Sequence, residues 1–357
     1  MVRVRVSEFQ SIWGPIMSTA NTEFKVYHTW AAGPCCWFPT ILAWGLVVLV
    51  TASAWAQAPA KPAANKEEEE KKPPEPVPVR VDTRDGWRIH CLYYPPMEGI
   101  RKGTETVPII LLHGWGGVGS EWDYLARGLQ TYGHASIVPD LRGHGRSTSR
   151  READGTPDTR RYEELTPPEM ENMTQDVEAI KGHLLGRHNA GELNIEMLTV
   201  IAAEEGCIVA LNWAVLDWSW PVTPTIKQGQ DVQLLVLLSP TTSFKRMNAN
   251  RAFQTPAISR RLSLLFAVGA DDRSAASEAR RLHTRLERQR PPLDRDPERR
   301  IRQQDLFLVT APTSLQGTAL TGRGLPINRA IVGVIKTRLL DRRDDFTWKE
   351  RRSPLAN

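Results

Sequence analysis

The stretch Val107-Pro-Ile-Ile-Leu-Leu-His-Gly-Trp-Gly-Gly is an unbroken apolar run that stops at a His-Gly turn. It neither alternates polar with apolar nor repeats every third or fourth residue, which is the pattern of a strand covered on both faces. The glycines behind His113 let the backbone come close to another group. A helical pattern follows over Ser120 to Gln130, with Trp122, Leu125, Ala126 and Leu129 on one face, and a second buried strand at Ala135 to Val138. That strand runs into Asp140-Leu-Arg-Gly-His-Gly-Arg-Ser, twenty-seven residues after His113.

The same rhythm extends in both directions. Upstream, Val79 to Asp82 and Trp87 to Tyr94 alternate about Arg84-Asp85-Gly86, a hairpin. Downstream, the polar excursion from Thr148 to Pro168 precedes a helix over Glu169 to Leu185. Strands at Met197 to Ala202, Val232 to Leu238, Leu262 to Val268 and Leu306 to Val309 alternate with helices at Gly206 to Leu216, Ala275 to Arg290 and Asn328 to Leu340. Strands joined through helices predict an α/β fold: a mostly parallel sheet of about eight strands, an antiparallel N-terminal hairpin and helices on both faces.

The two glycine-rich turns resemble those of the α/β-hydrolase family, and the resemblance covers about residues 80 to 340. It implies that the turn at His113, Gly114 and Trp115 supplies one backbone N–H of an oxyanion hole. It also implies that His113 and His144 brace loops rather than carry protons. Only some 23 residues separate Leu238 from Leu262, where capped relatives insert a helical lid, so no large cap is expected and a pocket above the sheet would be open.

The triad positions are where the chain departs from the family. Small residues must flank the nucleophile at the strained strand-to-helix turn. With Ala202 and Gly206 at those places, Glu204 stands where the serine belongs; a frame shifted by one puts Glu205 there. Glycine at the last place favours the first frame. The loop after the last strand, Thr310 to Leu320, holds no histidine, and Gln316 takes that position. An amide cannot accept and return a proton near neutral pH. Asp272, with Asp271 as the alternate, falls at the acid position and equally suits a helix N-cap.

The 357 residues, 41% apolar and 24% charged, exclude a wholly disordered chain and a polytopic membrane protein. From Lys25 to Lys61 no charge intervenes, and Ile41 to Val50 forms an apolar core ahead of Ala54 and Ala56, spaced as a signal-peptidase site. Residues 1–56 therefore read as a signal peptide cleaved before Gln57, with an uncleaved anchor as the alternative and Met17 as an alternative start. Residues 57–78, rich in Pro, Glu and Lys, read as a disordered linker, 79–341 as the domain and 342–357 as a charged tail. Export leaves Cys91 and Cys207, too few for a disulfide framework and read as buried thiols.

No metal-ligand spacing, Walker loop or dinucleotide fingerprint occurs, so no cofactor and no metal are expected. Arg280, Arg281, Arg285, Arg288 and Arg290 read as a solvated helix face with weak attraction to anionic envelope surfaces, not a nucleic-acid site. Trp213, on a helix apolar nearly all round, reads as core. The expectation is an exported protein that has lost hydrolase chemistry and acts by binding a small molecule or an envelope protein. The alternative is an active hydrolase of ester or related acyl or alkyl substrates using Glu204.

Overall fold

The computed structural model describes residues 72–152, 154–221 and 227–351. The signal segment and all but the end of the linker lie outside these residues. Eight strands form one sheet: β1 (Val77–Asp82), β2 (Arg88–Tyr94), β3 (Pro108–Leu112), β4 (Ala135–Pro139), β5 (Leu198–Ala203), β6 (Val232–Leu238), β7 (Ser263–Gly269) and β8 (Leu306–Ala311). Their order across the sheet is β1-β2-β4-β3-β5-β6-β7-β8. β1 and β2 pair antiparallel, β2 runs antiparallel to β4, and all later pairings are parallel.

Alternate residues of each central strand feed opposite layers. Ile110, Leu112, Val200 and Phe266 face a core shared with α2 (Thr174–Asn189) and α3 (Gly206–Ser219). Ile109, Leu111, Ile201 and Leu265 face one shared with α1 (Asp123–Thr131) and α5 (Ile327–Arg338). A strand packed on both sides has no polar position left to alternate, hence the unbroken apolar runs. α4 (Arg273–Glu287) lies beside β7 and β8 and buries Ala276, Ala279, Leu282 and Leu286.

Several details differ from the sequence expectation. The helix expected from Glu169 begins earlier, as a short helix Pro167–Glu171 capped by Thr166, whose N–H and Oγ–H both donate to Glu169 Oε2 at 2.8 and 2.6 Å. α2 follows separately and continues to Asn189. The polar excursion contains a small hairpin, Ser149–Arg151 with Pro157–Thr159, whose Arg150 and Arg160 close on Glu169. Arg290 turns inward, donating to the carbonyls of Ile258 and Leu262 and pairing with Asp305, so it is no part of the solvated face.

The domain boundaries also shift. Val77 opens β1, and ahead of it Pro74 accepts a hydrogen bond from Gln130 and Glu75 pairs with Arg127. Residues 342–351 are no free tail. Trp348 donates to His188 O at 3.1 Å, and the buried Arg351 pairs with Asp231 and Glu196. A buried cation that meets the buried Asp231 and the half-buried Glu196 ties down a segment whose composition alone suggests solvent. Cys91 and Cys207 are free and buried, and Trp213 is fully buried. Among the described residues no helix is long and apolar enough to cross a membrane.

Candidate functional site

β5 leads into α3 through a turn whose apex, Glu204, has φ +49°. A left-handed backbone is costly for a residue with a Cβ, by about 1–2 kcal/mol, and its neighbours hold it there. The Glu204 N–H donates to Leu238 O at 2.9 Å, and Glu204 O accepts from Cys207 N–H at 3.1 Å. Glu205 has φ −68° and begins α3. A Cβ on Gly206 would stand 2.5 Å from His113 O, so only glycine fits. The left-handed apex is therefore Glu204, not Glu205, with an obligatory glycine two residues on.

Both glutamates crowd the His-Gly turn. A Cβ on Gly114 would lie 2.7 Å from Glu204 Oε2 and 3.3 Å from Glu205 Oε2. The Trp115 N–H, the expected oxyanion donor, gives its hydrogen bond to Glu205 Oε2 at 3.1 Å. A third carboxylate stands close by: Glu121 accepts from Val118 N–H at 3.1 Å and from Thr318 Oγ–H at 2.8 Å. Burial, then the neighbouring Glu205 and Glu121, push the Glu204 carboxyl above its usual range. Among the described residues no cation pairs with any of these three, and no cluster of His, Cys, Asp and Glu is arranged to hold a metal ion.

The loop after β8 closes the other side. A Cβ on Gly317 would lie 2.7 Å from the Glu204 carboxyl carbon. Gln316 turns away from Glu204 and accepts the Ser239 Oγ–H, while the Gly317 N–H donates to Ser239 Oγ at 3.0 Å. Asp272 does not reach Gln316; it caps α4 by accepting the Ala275 N–H at 3.0 Å. Nucleophile and histidine positions therefore adjoin, whereas the acid position is spent on a helix end.

Both histidines named with the turns are braces by their contacts. His113 Nδ1–H donates to Gly114 O at 2.7 Å, and its Nε2 accepts the Leu141 N–H at 3.0 Å. His144 donates from Nδ1 to Arg142 O at 2.9 Å, and its ring stacks on Tyr162 at 4.7 Å between centroids. Burial pushes the His144 imidazole down to about 4. No histidine hydrogen-bonds to Glu204 among the described residues.

Two contributors escape the sequence reading. Ser239 holds Gln316; its sign in the sequence is a polar residue directly after the buried run of β6, the strand beside the elbow. Lys245 sits at the tip of a two-residue-stranded hairpin, Ser243–Phe244 with Met247–Asn248, which forms the short flap. Its ammonium lies 4.2 Å from the Trp115 ring centroid, and Phe244 packs against the same ring at 5.3 Å. Such a cation over an indole face is worth about 0.5–2 kcal/mol, so Trp115 is roofed rather than open.

Acyl transfer needs a nucleophile, a group that carries its proton and donors that meet the developing oxyanion. Here the first is a carboxylate, the second is an amide, and the donor faces a carboxylate already. A substrate oxygen would have to displace Glu205.

No curated protein matches the sequence. Among solved structures, DcsB in complex with a substrate analogue aligns over 74% of this chain and 100% of its own at 14% identity, with a TM-score of 0.50. A serine hydrolase without lid from Xanthomonas campestris aligns over 76% and 96%, at 13% identity and a TM-score of 0.47. An esterase from Pyrococcus furiosus aligns over 74% and 91%, at 14% identity and 0.48. These likenesses concern the fold. A family model described as the alpha/beta hydrolase fold matches residues 107–313, from the strand before the His-Gly turn to the loop after the last strand. That span is more than half of the chain, and the protein belongs to the α/β-hydrolase-fold family.

Proposed function

We propose that this is a catalytically silent member of the family, exported and acting by binding a small molecule or an envelope protein. The observation that carries the reading is the hydrogen bond from the Trp115 N–H to the Glu205 carboxylate. Losing one oxyanion donor costs about 3–4 kcal/mol of transition-state stabilisation, and a fixed carboxylate about 4 Å from a developing oxyanion opposes it by a further 4 kcal/mol or so at an effective dielectric near 20. Together these remove on the order of a hundred-thousandfold in rate before the absent imidazole is counted.

The test is hydrolysis of a panel of p-nitrophenyl and alkyl esters by purified protein. No saturable turnover above the Glu204→Ala background is expected; saturable turnover abolished by that substitution sinks the reading. Export rests on the apolar core Ile41 to Val50 and on Ala54 and Ala56, and mass measurement of the mature protein should find Gln57 at its N-terminus.

A second reading has its own support in the carboxyl of Glu204, held at the apex and shifted upward by burial and by Glu205. A carboxyl so shifted suits a general base or a nucleophile. A covalent adduct on Glu204 after exposure to esters and epoxides, seen by mass spectrometry, would favour it.

A further inference from the structure

Beside the elbow, the short helix Pro167–Glu171, the start of α2, α3 and the flap hairpin line a half-open cleft of about 640 Å³, within the range of ligand sites. None of Glu204, Glu205, Trp115 and Gln316 lines it. Its floor is Met170, Met173, Ile208, Val209 and Met247, all buried. Methionine is unbranched and polarisable, so such a floor adapts to an aliphatic chain without demanding one shape.

The rim has a different chemistry. Arg246, in the turn of the flap hairpin, and Arg251, just after its second strand, line the cavity. Among the described residues neither pairs with a carboxylate, and both are exposed. Asn212, Asn248 and Asn250 add amide groups around them, and Asn212 Nδ2–H fastens the hairpin to α3 by donating to Asn248 O at 3.2 Å. The one acid on the lining is Glu171, so the two guanidiniums leave a net positive rim. Two unpaired arginines above a methionine floor suit a ligand with an anion at one end and an alkyl chain at the other.

We propose that this cavity binds an alkyl anion, a carboxylate or phosphate monoester on an aliphatic chain, with the anion between Arg246 and Arg251 and the chain on the methionine floor. The proposal deepens the binding reading above, on which it rests, and gives that reading a site apart from the triad positions. A fatty acid and a single-chain phospholipid share this chemistry.

The test is isothermal titration of the full mature chain with octanoate, octyl phosphate, octan-1-ol and acetate. Both octyl anions should bind at one site, with octan-1-ol and acetate at least about tenfold weaker, the factor expected for one charge-assisted hydrogen bond. The double variant Arg246→Gln/Arg251→Gln should weaken octanoate by about tenfold or more. Asn212→Trp, a change at the partly exposed rim that leaves the core intact, should block it. A preference between octanoate and octyl phosphate points to a fatty-acid or a phospholipid source, and either supports the site.

Absence of binding, equal binding of octan-1-ol, or octanoate binding indifferent to both variants overturns the proposal. Turnover of p-nitrophenyl octanoate, followed in the same preparations, separates the two claims. Glu204-dependent turnover alongside arginine-dependent binding defeats the silent reading and leaves the anion site standing. No turnover and no binding defeats the anion site alone.

Discussion

Carboxylates at the two ends of the sheet are treated in opposite ways. At the amino ends of β5 and β6, Asp217 and Asp231 are fully buried and matched by cations. Lys181 lies 2.7 Å from Asp217 and 2.9 Å from Asp231, and Arg351 and Lys227 reach Asp231 from the tail and the preceding loop. Asp217 also accepts the N–H groups of Asp231 and Val232 at 2.7 and 3.1 Å. At the carboxyl ends, Glu121, Glu204 and Glu205 gather with no cation paired to them among the described residues. Burial opposes ionisation of Asp231, yet Lys181 and Arg351 hold its carboxyl below the usual range. Burial and like charge push that of Glu204 above it. The first arrangement is a structural brace. The second weakens the fold, which is the mark of a place shaped by something other than stability.

Three single substitutions and one combined change break or sharpen this contrast. The largest effect belongs to Lys181→Met, which leaves Asp217 and Asp231 buried without their shared cation. It should destabilise the protein by about 3–5 kcal/mol, read from urea unfolding. Gly206→Ala drives a Cβ to 2.5 Å from His113 O and should cost about 1–3 kcal/mol in the same measurement. Equal stability to the parent would mean that the elbow is not packed against the His-Gly turn.

The smallest change, Glu204→Gln, carries the opposite sign. A carboxyl whose pKa is higher in the folded state removes stability as pH rises from its ordinary value through its raised one. The penalty is complete above the raised value and absent once both states are protonated. Glu204→Gln should therefore raise Tm near neutral pH, with an advantage that fades toward pH 4 or so. A loss of Tm near neutral pH would show that Glu204 has a favourable partner. The double change Glu204→Ser with Gln316→His restores two triad members but leaves Glu205 on the Trp115 N–H, so ester turnover should remain near background until Glu205→Gly is added.

Most of the frame was legible because each element announces how it is buried. Ile109 to Leu112 reads as a two-sided strand from its lack of period, and Trp122, Leu125, Ala126 and Leu129 read as one packed face. The hairpin at Gly86 and the paired glycine turns are equally local. The misreadings involve charge rather than periodicity. Arg290 and Arg351 look like surface residues in any window of sequence, since an arginine becomes a buried one only when a carboxylate or carbonyl arrives from elsewhere. Residues 342–351 read as a charged tail in the sequence for that reason. At the elbow, the spacing of Ala202 and Gly206 favours Glu204 in the sequence, and the turn has its left-handed residue at Glu204.

The amino-acid sequence by itself determined the order and type of the elements and the resemblance to the family, and it set the expectation that Glu204 and Gln316 stand at the serine and histidine positions, because these depend on residue type and spacing along one segment. Only the tertiary structure decided what those residues do to one another. Glu205 meets Trp115 across 90 positions and Ser239 meets Gln316 across 77, and Asp272 is spent on a helix end. Which hydrogen-bond partner a polar group finds is settled by how distant loops close on the sheet, and no local pattern encodes that choice.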